Sequence, residues 1–259
     1  MSLTTWNNKI VWITGASSGI GLSILRAASQ RGAHCMATAR SEDKLSQIAA
    51  ELNEERETVF VYPGDVTNKS QMRTIAEEIT KVHGSIDVLI ANAGSHVFTR
   101  PLEFNADEYR DLMNLNYGGM LNSIEAALPM MLEKNSGTLV GMSSLAGFRG
   151  LPRAAAYGAS KAAMTHFLES IRFHLSPKNV NVVIVHPGFV KTPLTDKNDF
   201  QMPFLVSSER AAELILDGIR KGKKEISFPV PFNWFMKLMR IIPYGLYQTL
   251  VSQLWKRMK

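Results

Sequence analysis

The sequence predicts an α/β protein with a doubly wound, seven-stranded parallel sheet that carries helices on both faces. Seven short apolar runs lack the period-two alternation of half-buried strands, which indicates strands covered on both sides. A segment with helical spacing follows each run, and this alternation is typical of parallel sheets. Glycine-rich and polar motifs come directly after the strands, at the edge where such sheets bind ligands.

The predicted elements alternate along most of the 259 residues. The first apolar run ends in glycine, and Leu22, Leu25 and Ala28 then follow with helical spacing. The predicted strands are 9–15, 33–39, 58–62, 86–94, 137–144, 180–188 and 225–230. The predicted helices are 21–32, 42–56, 68–83, 105–134, one that begins near Tyr157, and 207–221. These elements predict one domain over 1–230 and a C-terminal helical extension over 231–259.

Composition and charge exclude some classes of protein. The net charge is +6, but Ile226–Lys259 holds five basic residues and no acidic one, which leaves 24 basic and 23 acidic residues elsewhere. A nearly neutral body of this kind does not indicate a nucleic-acid-binding protein. The single cysteine, Cys35, excludes an intramolecular disulfide, and the N-terminal segment lacks the pattern of a signal peptide. We therefore expect a cytoplasmic location.

The stretch TGASSGIG (14–21) follows the first predicted strand and opens the first helix. Gly15, Gly19 and Gly21 allow a tight turn and let the backbone approach a pyrophosphate at the helix N-terminus. An ordinary glycine-rich turn is the alternative. The spacing G-x-x-x-G-x-G also differs from the common G-x-G-x-x-G dinucleotide pattern, and this indicates a particular subgroup of nucleotide-binding folds.

Residues after the next three strands indicate which nucleotide binds. Arg40 follows the second strand, where a site for NAD usually has a carboxylate and a site for NADP a cation. A guanidinium suits a 2′-phosphate because it is permanently charged and binds two oxygens at once; a surface arginine is the alternative. Asp65, after the third strand, could accept a hydrogen bond from adenine. The sequence NAG (92–94) follows the fourth strand and allows close approach to a ribose.

The stretch YGASK places Tyr157 and Lys161 on one face of a helix. A tyrosine that acts as a base near neutrality needs a pKa lower by about three units, or about 4 kcal/mol. One cation about 4 Å away supplies a similar energy at an intermediate dielectric. The spacing alone is common in helices, but Ser144 ends the fifth strand and can bind the same substrate oxygen. Asn116 lies within a predicted helix, where asparagine is mildly unfavourable, and its presence there indicates a polar role.

Together, TGASSGIG, NAG, Asn116, Ser144 and YGASK resemble the short-chain dehydrogenase/reductase family, which has a Rossmann-type fold. HPGFVKTPL (186–194) is similar to the family segment beside the nicotinamide, and the resemblance covers about 8–230. It implies that Tyr157 is the general acid/base and that Lys161 lowers its pKa and holds the nicotinamide ribose. Ser144 would orient the substrate carbonyl, and Asn116 would position a water in a proton relay to Lys161.

The resemblance also implies a set of cofactor-binding residues. The phosphate side would be lined by Gly15, Ser17, Gly19, Ile20 and Gly21, and the 2′-phosphate bound by Arg40. The adenine and its neighbouring ribose would contact Asp65, Val66, Asn92 and Gly94. The nicotinamide would meet Pro187, Gly188, Val190 and Thr192. No metal is expected, because the phenol and the serine polarise the carbonyl; His96 and His186 are expected to be loop or structural residues.

The function that follows is hydride transfer between NADP(H), favoured over NAD(H), and a carbonyl or secondary alcohol. The alternatives are a non-catalytic nucleotide-sensing protein and, disfavoured by the glycine spacing, a sugar-nucleotide epimerase. Substrate choice is assigned to His96–Arg100, Leu145–Arg153 and Thr195–Val206. An apolar lining there, which predicts a lipophilic substrate, is expected from Phe148, Leu151, Pro152, Phe189, Met202, Phe204 and Leu205. A homo-dimer or homo-tetramer is expected, as is frequent in the family.

The segment 231–259 has the pattern of two amphipathic helices separated by Pro243. One stripe consists of Tyr247, Leu250, Val251, Leu254 and Met258, opposite Gln248, Thr249, Ser252, Gln253, Lys256 and Arg257. Asn233, Lys237 and Arg240 give the first helix a similar polar side. An apolar stripe beside cations fits a helix in a membrane interface, here at the inner face. Packing over the substrate cleft or against another subunit is the alternative.

Overall fold

The structure is a computed structural model that describes residues 3, 5–98, 101–198 and 200–258, with the backbone alone at 101, 197 and 254–258. Its centre is one parallel sheet with the strand order β3-β2-β1-β4-β5-β6-β7. The strands are β1 (Ile10–Thr14), β2 (His34–Thr38), β3 (Val59–Val61), β4 (Val88–Ala91), β5 (Gly137–Met142), β6 (Val180–Pro187) and β7 (Glu225–Phe228). The predicted doubly wound, seven-stranded fold is confirmed.

Helices cover both faces of the sheet. They are α1 (Gly19–Gln30), α2 (Glu42–Leu52), α3 (Lys69–His83), α4 (Ala106–Met113), α5 (Gly119–Glu133), α6 (Ala155–Leu175), α7 (Ser208–Arg220), α8 (Val230–Ile241) and α9 (Tyr244–Met258). One apolar layer lies beneath α1, α2 and α7, and the other beneath α3, α5 and α6. Because apolar side chains fill both layers, the strands are buried on both faces, which explains the unbroken apolar runs of the sequence.

α2 ends earlier than predicted, at Leu52 instead of Arg56. The reason is Asn53, whose side-chain oxygen accepts hydrogen bonds from the backbone N–H groups of Thr58 and Val59 at 2.9 Å. Its amide nitrogen donates to the carbonyl of Val59 at 2.8 Å. These three bonds replace helical ones and direct the chain into β3.

The long predicted helix 105–134 is divided by a π-helical segment, Asn114–Gly118, between α4 and α5. π-helical turns hold more residues than α-helical turns and occur frequently at functional sites. α4 packs on α6, whereas α5 packs on α3. The π segment therefore joins two helices that serve different parts of the molecule.

α8 and α9 follow β7 and lie against the end of the sheet. Arg149 donates hydrogen bonds to the carbonyl oxygens of Met239 at 2.6 Å and Ile242 at 2.8 Å, at the C-terminus of α8. Its guanidinium also lies 4.1 Å from the ring centre of Tyr247, whose hydroxyl donates to the carbonyl of Gly150. In the part of the chain that the structure describes, no helix has both the length and the apolar content to cross a bilayer.

Candidate active site

The strand order reverses between β1 and β4, so the loops after these strands diverge and leave a crevice at the carboxyl edge of the sheet. A cavity of about 380 Å³ occupies this crevice, and we call it the glycine-turn cavity. Most of its lining comes from the turns after β1 to β4. The lining includes Gly15, Ser17, Gly19, Ile20, Arg40, Asp65, Val66, Asn92, Gly94 and Thr192.

The turn after β1 requires glycine for two physical reasons. Gly15 and Gly19 have φ angles of 68° and 54°, in the left-handed region that side chains disfavour. A Cβ atom on Gly21 would lie 2.2 Å from the carbonyl oxygen of Gly15, which is backbone and cannot move away cheaply. The amide of Asn92 donates to the carbonyl of Thr14 at 3.0 Å and ties this turn to the loop after β4. The motifs TGASSGIG and NAG therefore form one unit.

Arg40 and Asp65 are the charged residues of this lining. Hydrogen bonds from the backbone and side chain of Thr67, at 2.9 and 2.8 Å, hold the pKa of Asp65 below its usual value, and the charge of Arg40 adds to this effect. Asp65 is therefore a carboxylate at neutral pH, held in place as an acceptor. Arg40 is exposed and leaves a cation at the rim.

These features fit a dinucleotide. The N-terminus of α1 and its turn present backbone N–H groups to anionic phosphates. Gly15, Gly21 and Gly94 let the turns around the cavity pack closely on each other: a Cβ atom at Gly94 would lie 2.8 Å from Asn116 Oδ1. Arg40 and Asp65 supply a cation and an acceptor within the same cavity.

Lys161 is buried one helical turn from Tyr157 on α6, with 5% of its surface exposed. Its Nζ atom donates to the carbonyl of Met142 at 2.7 Å and lies 5.7 Å from the ring centre of Tyr157. Burial lowers the pKa of Lys161 to about 8, because the charged form loses its hydration. Lys161 therefore still carries its charge at pH 7.

The predicted lowering of the Tyr157 pKa by Lys161 is not observed. Burial raises the pKa of Tyr157 above its usual value, and the hydrogen bond with Ser144 opposes this only in part. The reason is geometric, because the Lys161 ammonium bonds to the backbone of Met142 and not to the phenol. In this structure Tyr157 is a neutral phenol that can donate a proton.

Ser144 lies two residues after the end of β5 at Met142, and its backbone is extended. Its hydroxyl accepts a hydrogen bond from the N–H of Ala146 at 3.1 Å and donates to the carbonyl of Pro187 at 3.4 Å. Both Ser144 and Tyr157 border a second cavity. A substrate oxygen in that cavity can therefore meet both hydroxyl groups.

Asn116 is fully buried in the π-helical segment. Its Oδ1 accepts from the N–H of Ser95 at 2.8 Å, and its Nδ2 donates to the carbonyl of Ser95 at 3.1 Å and to the hydroxyl of Ser160 at 2.9 Å. These bonds connect the loop after β4 to α6. The backbone of Gly94 passes between Asn116 and Lys161, since a Cβ there would lie 3.6 Å from Lys161 Nζ.

Several predicted cofactor residues lie elsewhere. Pro187, Gly188 and Val190 do not line the glycine-turn cavity. Gly188 lines the second cavity, and Val190 is buried and forms a bridge to Val206. Pro187 is the last residue of β6, and Gly188 follows it directly.

The second cavity, about 300 Å³, is mostly apolar, and we call it the apolar cavity. Of the predicted lining, Leu151, Pro152 and Phe189 are present. Phe148 lies beneath it, against the ring of His186, while Phe204 and Leu205 are exposed on the surface. Met202 is not part of the lining. Thr99, Arg100 and Asp199 lie outside the described residues.

Three further lining residues, His96, Phe98 and Phe200, lie in the segments to which substrate choice was assigned. The sequence did not predict the part of the lining that comes from both terminal helices: Phe232, Phe235, Met236, Met239, Tyr247 and Val251. The ring of His96 contacts that of Tyr157, with centres 4.8 Å apart, and Phe232 stacks on Phe189 at 5.7 Å. The apolar pattern of the terminal helices was a signal, but it did not show which surface they cover.

A protein-family model described as short chain dehydrogenase matches residues 9–202. The chain belongs to the short-chain dehydrogenase family. It is similar to an oxidoreductase of Myxococcus xanthus, with 36% identity over 242 residues, 93% of this chain and 96% of that protein. Family membership makes the chain an oxidoreductase that uses a nicotinamide cofactor and acts on CH–OH or C=O groups.

Two solved structures share the short-chain dehydrogenase fold. The alcohol dehydrogenase from the archaeon Thermococcus sibiricus, complexed with 5-hydroxy-NADP, has 26% identity and a TM-score of 0.77, covering 86% of this chain and 96% of that chain. A short chain dehydrogenase/reductase from Burkholderia phymatum, in complex with NAD, has 22% identity and a TM-score of 0.83, covering 91% and 94%. At 22% identity, the B. phymatum structure supports the fold alone. Among the described residues of this dehydrogenase, no three His, Cys, Asp or Glu side chains gather as metal ligands.

Proposed function

We propose that this chain is an NADP(H)-dependent reductase of lipophilic ketones or aldehydes, and the corresponding alcohol dehydrogenase, with Tyr157 as general acid/base. The observation that carries the proposal is the position of the Tyr157 phenol. It borders the apolar cavity together with Ser144, on a helix that also carries the buried cation Lys161. A proton donor and a second hydroxyl are thereby available to one substrate oxygen, and a buried cation lies one helical turn away.

In the proposed mechanism Tyr157 donates its proton to the substrate carbonyl oxygen and accepts it back in the reverse direction. Ser144 donates a hydrogen bond to the same oxygen. The cofactor, when bound, would provide the chemistry of hydride transfer to or from the substrate carbon. Lys161, charged below its pKa of about 8, keeps a positive charge 5.7 Å from the ring centre of Tyr157. The bonds of Asn116 to Ser95 and Ser160 hold the loop beside Lys161, which supports the proton relay implied by the family resemblance.

Two observations support NADP(H) over NAD(H). Arg40 lies at the rim of the glycine-turn cavity beside the acceptor Asp65, where a 2′-phosphate would gain a charge-assisted bond. The T. sibiricus structure that this chain resembles holds an NADP derivative. A lipophilic substrate is supported by the aromatic and aliphatic lining of the apolar cavity, where unpaired polar groups on a substrate would lose hydration.

The experiment is a panel of ketones, aldehydes and alcohols followed by the absorbance of reduced cofactor, with NADPH and NADH in parallel. Tyr157→Phe removes the proton donor and should lower kcat by about 10²–10⁴, the usual size of general acid catalysis. Its affinity for NADPH should stay near that of the parent. Tyr109→Phe, on α4 outside both cavities, is the matched control.

The outcomes separate the alternatives. Full turnover in Tyr157→Phe would contradict the mechanism. Binding of NADPH without turnover of any substrate, in parent and variant alike, would instead support a nucleotide-sensing protein. The proposal also includes a domain at 1–230 with an extension at 231–259. It further includes assembly as a homo-dimer or homo-tetramer and contact of the extension with a membrane. Light scattering of the purified chain tests the assembly.

A further inference from the structure

We propose that the outward face of α8 docks on an anionic membrane surface and that the apolar cavity takes its substrate from that lipid phase. The membrane contact is independent of catalysis, whereas the source of the substrate rests on the proposed function. The surface, which we call the α8 outer face, consists of Val230, Trp234, Leu238 and Ile241. Its partner is a lipid surface with negatively charged headgroups.

α8 is apolar on two opposite sides. Phe232, Met236 and Met239 line the apolar cavity. The α8 outer face has exposed fractions of 61% for Val230, 68% for Trp234, 54% for Leu238 and 77% for Ile241. Spacings of four, four and three residues place these side chains in one helical stripe. An amphipathic helix that only covers a cavity would be polar on this side, so the stripe is unexplained by packing.

Exposed apolar side chains are concentrated in this part of the surface. Of the sixteen large exposed apolar side chains among the described residues, eight lie between 230 and 250. Single exposed apolar residues are normal in proteins, but a contiguous group marks an interaction surface. Trp234 is suited to a membrane interface, because its indole has an apolar body and a polar N–H.

The charge of the segment determines which partner fits. From Ile226 to Lys259 the sequence has five basic residues and no acidic one. Lys237 has an ion pair with Glu225 at 2.9 Å, and the Arg240 guanidinium lies 5.8 Å from the ring centre of Phe148. In a two-fold dimer through this face, a segment with an excess of basic residues would meet its own copy, and like charges would repel. Anionic headgroups complement this excess of positive charge.

The α8 outer face is fixed relative to the apolar cavity. Arg149 bonds to the C-terminal carbonyls of α8, and Tyr247 bonds to Gly150. One helix therefore has its inner side on the cavity and its outer side free for lipid. A lipophilic substrate dissolved in the bilayer would reach the cavity around α8 with little passage through water, which is costly for apolar groups.

This assignment differs from the stripe that the sequence indicated. Tyr247 is buried and lines the apolar cavity together with Val251, so that side of α9 faces the protein. Asn233, expected on the polar side, is also buried. The side chains of Leu254 and Met258 lie outside the described residues. The docking face thus moves from α9 to α8.

The test is flotation of the full chain with vesicles of phosphatidylcholine, with and without phosphatidylglycerol. The parent should float with the anionic vesicles and should be released by high salt. Trp234→Ser combined with Ile241→Ser should lower the partition coefficient by about tenfold or more, from the apolar area lost. Phe173→Ser, also on an exposed apolar side chain but on α6, is the matched control and should float like the parent.

Activity provides a separate measurement. The Trp234→Ser/Ile241→Ser variant should turn over a short water-soluble ketone like the parent, because neither residue lines the apolar cavity. It should be slower than the parent on a long-chain ketone dissolved in the anionic vesicles. Loss of all turnover in the parent would contradict the proposed function but not the docking.

Two results would overturn the docking. One is equal flotation of the variant and the parent. The other is a parent that does not float at any lipid composition. If light scattering then also shows the variant to be a smaller assembly than the parent, the α8 outer face is a subunit interface.

Discussion

The two cavities of this dehydrogenase are built in opposite ways. The glycine-turn cavity is formed mostly by the turns that follow β1 to β4 in one sheet. The apolar cavity is formed by large side chains from segments as distant as His96 and Val251. The first depends on local conformation, whereas the second depends on how distant segments pack. This difference means that substitutions in the two cavities should change different measurements.

Gly21→Ala tests the backbone character of the first cavity and should have the largest effect. Its Cβ would overlap the carbonyl oxygen of Gly15, at 2.2 Å. Because backbone must move, we expect NADPH to bind more than about a hundredfold more weakly, equivalent to about 3 kcal/mol. Titration of cofactor fluorescence measures this. Gly245→Ala, with no atom within 4 Å of the added methyl, should bind NADPH normally, and equal affinity of both variants would contradict the prediction.

Arg40→Ala should change cofactor choice without changing substrate choice. Loss of a charge-assisted bond to the 2′-phosphate should lower kcat/KM with NADPH by about tenfold to a hundredfold and leave the value with NADH nearly unchanged. The ranking of ketones should stay the same, because Arg40 does not line the apolar cavity. The exposed Arg220 provides the control, Arg220→Ala. A parent enzyme that prefers NADH would make the assignment of Arg40 wrong.

His186 should make the free energy of unfolding of the protein sensitive to acid. Burial lowers the pKa of His186 from 6.5 to about 4, with smaller effects of Glu225, Lys237 and Arg240. The unfolded chain therefore binds the proton first, so stability is intact above pH 6.5 and decreases as pH falls towards 4. By pH 5 the loss should be about 2 kcal/mol.

The measurement is urea unfolding at several pH values. His186→Gln cannot take up this proton, so its free energy of unfolding should fall less between pH 7 and pH 5 than that of the parent. His166→Gln, at an exposed position on α6, should retain the acid sensitivity of the parent. Equal slopes for the parent and His186→Gln would show that another group is responsible.

Phe232→Ala should have the smallest effect and should be confined to the apolar cavity. Phe232 stacks on Phe189 and Phe235, with ring centres 5.7 and 6.3 Å away. Removing the ring should lower kcat/KM for a long apolar ketone by about tenfold, with less change for a small ketone, since apolar contacts discriminate by only about 1–3 kcal/mol. NADPH affinity should stay the same. A large loss of NADPH affinity would mean that the cavities are not separable.

The same contrast explains how much the sequence predicted. Gly15, Arg40, Asp65 and Asn92 were placed correctly in one cavity, because each follows a strand and parallel strands end at one edge. Phe148 and Phe204 were assigned to the wrong surroundings, since an apolar residue in a loop can pack inward, line a cavity or stay exposed without any difference in local pattern.

The electrostatics of the site were also beyond the sequence. The spacing of Tyr157 and Lys161 correctly put both on α6. The predicted lowering of the Tyr157 pKa, however, requires that the ammonium faces the phenol. The structure gives that ammonium a backbone carbonyl as partner, at Met142, and burial then dominates the pKa of Tyr157. Direction and burial of a charge depend on the tertiary packing around it, and helical spacing does not contain that information.

The π-helical segment at Asn114–Gly118 determines how α4 is rotated about the helix axis relative to α5. Removal of one residue there would restore regular α-helical bonding but would turn one helix by about 100° relative to the other. Asn116 would then leave Ser95 and Ser160, and either the contact of α4 with α6 or that of α5 with α3 would be lost. The length of this segment is therefore a constraint shared by catalysis and folding, and a deletion that improves the helix would disable the enzyme.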